Sequence, residues 1–224
     1  MIYNQEFNFL FVHIQKTAGT SITESLLQCP GSKFIVPPHV RLCDVAILGK
    51  RPQVVAVVRN PWERLASWWF MMNRKGVHND FSAYLLAPGP DESPVDFSAF
   101  IRRTDVIRET SDEFPVVKPQ NVRKKWFRPY LKSLGWNQVD YLTRRGQVAA
   151  DAVLRFEQLD RDWEDVMRPI LGPALPELLR LNQSAEGIRL NWRRLYEDSR
   201  DVDFVAQQYR RDLDMWGFTF PDSP

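Results

Sequence analysis

The sequence predicts an α/β fold, a parallel sheet flanked by helices, and three observations carry that prediction. Two short apolar runs, residues 9–14 and 54–58, are rich in aromatic and β-branched residues, as strands buried on both faces tend to be. Each is followed within a few residues by a segment with helical spacing. A third pair, residues 152–156 and then 158–170, repeats the order more weakly. Strands alternating with helices build crossover units, and crossover units build parallel sheets. At 224 residues, 44% of them hydrophobic, the chain can bury a substantial core, and its length favours one domain over 1–224.

Taken in order, residues 9–14 read as the first strand, and the helix over 20–28 follows from the spacing of Ile22, Leu26 and Leu27. Residues 54–58 read as the second strand, and Asn60 and Pro61 suit the N-cap and first position of a helix over 61–73. The third strand, 152–156, leads to a helix whose early turns hold Asp160 and Asp162, acids that suit a helix N-terminus. Between these units, residues 86–95 (LAPGPDESPV) and 110–119 are punctuated by prolines and acids. They read as long surface loops around a helix near 96–103, of the kind that shape a substrate mouth. At the C-terminal end, Phe204, Val205, Tyr209 and Leu213 predict one helix over 202–216.

Composition excludes several classes. The net charge of +2 lacks the basic excess of a dedicated duplex nucleic-acid binder. Cys29 and Cys43, the two cysteines of the chain, have neither zinc spacing nor the density of a disulfide scaffold, which points to a reducing compartment. No apolar run is long enough to span a bilayer, and MIYNQEFNF has neither the basic start nor the cleavage site of a signal peptide. The expectation is a soluble, cytoplasmic chain with no membrane insertion.

The chemistry starts in FVHIQKTAGTS, residues 11–21. A lysine, a glycine and three hydroxyl side chains follow a strand and open a helix, where backbone N–H groups face an anion. The Walker order is reversed, since Lys16 precedes Gly19; the loop is expected to bind phosphate without being an ATPase loop. Lys16, the amides of residues 17–21 and the hydroxyls of Thr17, Thr20 and Ser21 are its donors. In an open α/β sheet, ligands gather at the carboxyl ends of the strands. The second junction, VVRNPWERLASWW, therefore lies along the same edge and adds Arg59, Arg64 and Ser67. Two separated anion sites suit a ligand with phosphates at two positions better than a single triphosphate tail. The fold class is thus a P-loop-like parallel sheet flanked by helices, in a single domain.

HIQKTAGTS resembles the HIPKTAGTS loop of sulfotransferases that use 3′-phosphoadenosine 5′-phosphosulfate (PAPS), and VVRNPWERLASWW resembles their second motif, VRNPWxRLxSxY. LRFEQL at 154–159, LNQS at 181–184 and YRRDLDMWGFTF at 209–220 are similar to the RFExL, LNxS and YxxDLxxFGY segments of the branch that contains Golgi carbohydrate sulfotransferases and their bacterial relatives. The resemblance covers most of the chain except roughly 75–150, which it leaves as a variable acceptor-side region. It implies that Lys16, Thr17, Ala18, Gly19, Thr20 and Ser21 hold the 5′-phosphosulfate, with Lys16 on the bridging oxygen. It also implies that Arg59 and Ser67 bind the 3′-phosphate, that Phe156 contacts adenine, and that the product is adenosine 3′,5′-bisphosphate. The implied acceptor is a hydroxyl, on a saccharide by branch; lipids, peptides and small metabolites stay open. Gln15 replaces the usual proline, which is expected to loosen the start of the loop, and Trp68 and Trp69 replace a smaller plus aromatic pair.

Related enzymes place a histidine between the two cofactor motifs, and His39 in VPPHVRL stands there. An imidazole near its ordinary pKa accepts a proton at neutral pH, so His39 is the candidate base. Glu63 and Asp44 are the alternatives, His13 is expected to orient the loop, and no role is assigned to His78. The cluster RKKWFR at 123–128 reads either as a grip on an acidic glycan or nucleic acid or as a solvated helix face. Trp62, Trp68, Trp69 and Trp126 read as core or cleft wall. No metal is required in principle, because Lys16 and the loop amides can stabilise a leaving phosphate. The rival readings are a small-molecule kinase on the same general fold and a catalytically silent nucleotide- or glycan-binding module.

Overall fold

A computed structural model of the chain describes residues 1–36, 38–46, 50–73, 95–109, 134–181 and 192–221. The chain divides into two compact units, each assembled from separated stretches: Met1–Asn60 with Gln138–Ala185, and Pro61–Asn137 with Glu186–Pro224. Of the stretch that the family motifs left unmatched, the last part, from Gln138, therefore folds with the first unit.

The first unit is built on a five-stranded sheet, β3-β1-β2-β4-β7, made of β1 (Ile2–Asn4), β2 (Phe9–Val12), β3 (Ser32–Phe34), β4 (Gln53–Val58) and β7 (Ala152–Arg155). A separate ribbon pairs β5 (Thr143–Arg144) with β6 (Gln147–Val148). The main sheet is mixed, which corrects the expected parallel sheet. Strands β2, β4 and β7 pair in parallel, but β1 runs antiparallel to both β2 and β3. The reason is local. Only residues 5–8 separate β1 from β2, and so short a connection makes a hairpin, whereas parallel neighbours need a crossover. Asn4 holds the turn: its Oδ1 accepts the Phe7 N–H at 2.9 Å, and its Nδ2 donates to the Pro30 carbonyl at 2.8 Å.

Both faces of the central strands are buried, as their unbroken apolar runs require. Phe9, Phe11, Val55, Val57 and Leu154 share one cluster with Ile22 and Leu26 of α1 (Gly19–Leu26) and with Trp163, Met167 and Leu171. The last three recur every fourth residue through the helical turns over 159–171, one of which is a π-turn, Trp163–Met167. The alternate residues Leu10, Val12, Val54, Ala56 and Val58 are buried as well. Parallel register sets Val12 against Ala56 and Val58 against Arg155. The chain therefore leaves β2, β4 and β7 on one edge of the sheet, where residues 13–18, Arg59 and Phe156 begin.

The described residues of the second unit form helices α2 (Pro61–Met72), Phe97–Glu109, Ser199–Gln208 and Arg210–Trp216, with a 3-10 turn at Trp192–Leu195. Their core is aromatic: Trp62, Trp68, Phe97, Phe100, Tyr196 and Tyr209 are buried together. The one helix expected over 202–216 is two, broken at Tyr209 (φ −105°, ψ 25°). The Asn137 side chain replaces partners that a continuous helix would supply. Its Nδ2 donates to the Gln208 carbonyl at 3.2 Å and its Oδ1 accepts the Asp212 N–H at 3.3 Å. Among the described residues no helix is long and apolar enough to cross a membrane.

Candidate anion-binding site

Residues 13–18, between β2 and α1, form a loop whose shape is set largely by its own residues. Lys16 (φ 64°) and Ala18 (φ 63°) both adopt the left-handed conformation, which non-glycine residues seldom take and which recurs at ligand-binding turns. The buried Thr17 hydroxyl donates to the Ile14 carbonyl at 3.0 Å and closes the turn. Gly19 has no room for a side chain, since a Cβ there would stand 2.0 Å from the His13 ring. The ring has little freedom to withdraw: Thr23 Oγ1 is 3.3 Å from its Nδ1, and His39 packs against it edge-on with centroids 4.5 Å apart.

The loop hydroxyls differ in what they can offer. Thr17 is tied to Ile14. The Ser21 hydroxyl donates to the Leu181 carbonyl at 3.2 Å and accepts the Leu181 N–H at 3.0 Å, while Ser25 accepts the Leu179 N–H at 2.8 Å. These serines strap residues 179–181 along α1, so Ser21 engages the start of LNQS. Thr20 is exposed. Gln15 is not loose. It is buried, and its Oε1 accepts the Tyr141 hydroxyl at 3.2 Å, which corrects the expectation that losing proline relaxes the loop.

Two cations meet at the ends of adjacent strands. The buried Arg59 donates from Nη1 to the Lys16 carbonyl at 3.0 Å, and its guanidinium lies 3.8 Å from the centroid of Phe156. Phe156, expected to contact adenine, thus gives one ring face to Arg59 and acts as its shelf, a cation–π arrangement. Burial, and then the Arg59 charge, lower the Lys16 pKa to about 8. Each effect disfavours a charged ammonium at this position; an anion bound between Lys16 and Arg59 would reverse the second.

His39 is half-buried and also left-handed (φ 69°). Among the described residues, Lys16, Ala18 and His39 are three of the five non-glycine residues with positive φ, so backbone strain concentrates in the segments that the sequence singled out. His39 Nδ1 lies 3.3 Å from the His13 carbonyl oxygen. A carbonyl only accepts, so a hydrogen bond there puts the proton on Nδ1 and leaves the lone pair on Nε2. The His13 imidazole is kept neutral, its pKa lowered to about 3 by burial first and by His39 next.

Ser67 and Arg64 belong to the second unit, on α2. Ser67 is half-buried. Arg64 is buried, donates to the Trp136 carbonyl at 3.2 Å and has its guanidinium 5.8 Å from the Tyr209 ring centroid; it serves the core of that unit. His78, the cluster at 123–128 and residues 182–184 of LNQS lie outside the described residues. Two residues that the motifs did not single out also serve the site. Gln138 bonds the backbone of Arg59 and Tyr141 bonds Gln15, and neither carries a local signal in WNQVDYL. No family model, no curated protein and no solved structure matches the chain.

Proposed function

We propose that the chain is a sulfotransferase that moves the sulfuryl group of PAPS to an acceptor hydroxyl, on a saccharide by the resemblance of its motifs, releasing adenosine 3′,5′-bisphosphate. The observation that carries this reading is the pair of cations at the carboxyl ends of β2 and β4, Lys16 and Arg59, joined through the Lys16 carbonyl. The donor set fits a ligand with two separated phosphates. Lys16 and the amides of residues 17–21 suit one of them, and Arg59 on its aromatic shelf suits the other. When bound, the donor supplies an activated sulfuryl group on a phosphate leaving group.

The residues of the chain do the rest. Lys16 stabilises charge on the departing phosphate, an effect that grows toward the transition state. Nε2 of His39 accepts the proton of the attacking hydroxyl while Nδ1 stays on the His13 carbonyl. His13, neutral above about pH 3, packs against Gly19 and against the His39 ring without competing for that proton at neutral pH.

Incubation with a panel of polyols should transfer labelled sulfate from PAPS and no labelled phosphate from ATP; the reverse result would establish a kinase. His39→Asn should lower kcat by about a hundredfold or more and leave bisphosphate affinity unchanged. Lost nucleotide binding with normal chemistry at saturation would remove His39 from the base role.

A further inference from the structure

We infer that Gln138 is a positioning residue for the second anion site, and that it sets the preference for a 3′-phosphorylated nucleotide; this rests on the reading above. Arg59 is the first residue beyond β4, past the last β4–β7 pair, Val58 with Arg155. Its peptide groups are therefore outside the ladder, and buried peptide groups need partners. Gln138 provides them. Its Oε1 accepts the Arg59 N–H at 2.9 Å, and its Nε2 donates to the Arg59 carbonyl at 2.7 Å. Bonding both groups of one residue is what an opposing residue on a neighbouring strand does, so a single fully buried amide extends the sheet by one position. That position carries the guanidinium.

The same helical turn reaches the other junction. Tyr141, three residues on in helix Gln138–Leu142, donates its hydroxyl to Gln15, the residue before Lys16. One turn of helix thus braces the backbone of Arg59 and the side chain that precedes Lys16. The two cations are held by a common support as well as by their direct contact. Gln138 does not itself bring charge to the site. Its effect passes through the direction in which Arg59 leaves the sheet.

The test compares Gln138→Met, which keeps length and removes both hydrogen bonds, with wild type by titration of adenosine 3′,5′-bisphosphate and of AMP. The two ligands differ in the 3′-phosphate alone. A positioning role predicts that the ratio of the AMP Kd to the bisphosphate Kd falls about tenfold, the scale of one good polar contact. A merely structural role would lower stability and weaken both ligands in proportion, leaving the ratio intact, and that result would overturn the inference. Should Gln138→Met fail to fold, Gln138→Asn, which keeps the amide but falls one methylene short, must show the same drop in ratio; an unchanged ratio there overturns it equally. If wild type shows no preference for the bisphosphate, the function proposed above fails instead, so the two failures are distinguishable.

Discussion

The loop after β2 and the junction after β4 both present a cation, and they lean on local and distant contacts in different proportion. The first takes its shape mainly from its own residues, since Thr17 bonds Ile14, the His13 ring occupies the space above Gly19, and Lys16 and Ala18 take left-handed backbone angles, with Tyr141 and Arg59 adding contacts from farther along the chain. The second is made by distant residues. Gln138 holds the Arg59 backbone, Phe156 lies under its guanidinium, and Glu157 Oε1 accepts the Asn60 N–H at 2.5 Å. A self-built loop can fix one lysine to high precision, whereas a borrowed junction couples its arginine to residues far along the chain. The first arrangement suits the reacting end of a ligand and the second suits recognition of its remote end.

Substitution should separate these roles, beginning with the largest effect. Lys16→Ala should lower kcat on the order of a hundredfold or more, as loss of one oxyanion donor does. Phe156→Leu should instead weaken nucleotide binding, by about 1 kcal/mol for a lost cation–π contact, with kcat at saturation nearly unchanged. Equal losses of kcat in both variants would erase the distinction. Gly19→Ala should destabilise the fold by about 2 kcal/mol through overpacking against His13. For a chain of this size that is a Tm lower by roughly 4–8 °C; an unchanged Tm would mean that His13 moves aside freely.

A smaller effect comes from pH. The Lys16 pKa in the folded chain, about 8, lies below its ordinary 10.5. Between those values the unfolded chain binds more protons than the folded one, so ligand-free stability should rise as pH climbs through this window. Anion binding requires the protonated amine and should change the other way, weakening about tenfold from pH 7 to pH 9. In Lys16→Met both slopes should flatten; slopes that persist would assign the titration elsewhere.

How much was legible in the sequence follows the same division. Strands β2 and β4, helices α1 and α2, and the Lys16 loop carry contiguous signals of apolar runs, helical spacing and hydroxyls beside a lysine. Each stands within a few residues of its expected place. The β1 and β3 strands were not legible, because three residues apiece are too few to show a period. The break at Tyr209 depends on Asn137, far away in sequence, and no local pattern announces it. Gln138 and Tyr141 stand in a helix of five residues, and their purpose appears only once Arg59 and Gln15 lie beside them. Phe156 is legible at the site as the aromatic residue beside the acid of RFE, but as a partner for adenine; the guanidinium on its face is a tertiary contact that spacing does not encode.

The central claim, one ligand engaging both junctions through two separated phosphates, is tested most directly by thermal unfolding with adenosine 3′,5′-bisphosphate, AMP and ATP with magnesium, in wild type and in Arg59→Ala. At a concentration about a hundred times Kd, binding adds roughly 2.7 kcal/mol. For a chain of this size that corresponds to a Tm rise of roughly 5–10 °C. The account predicts that rise for the bisphosphate, much less for AMP and for ATP with magnesium, and no advantage of the bisphosphate over AMP in Arg59→Ala. Stronger stabilisation by ATP with magnesium, or no shift with any of the three, would contradict it.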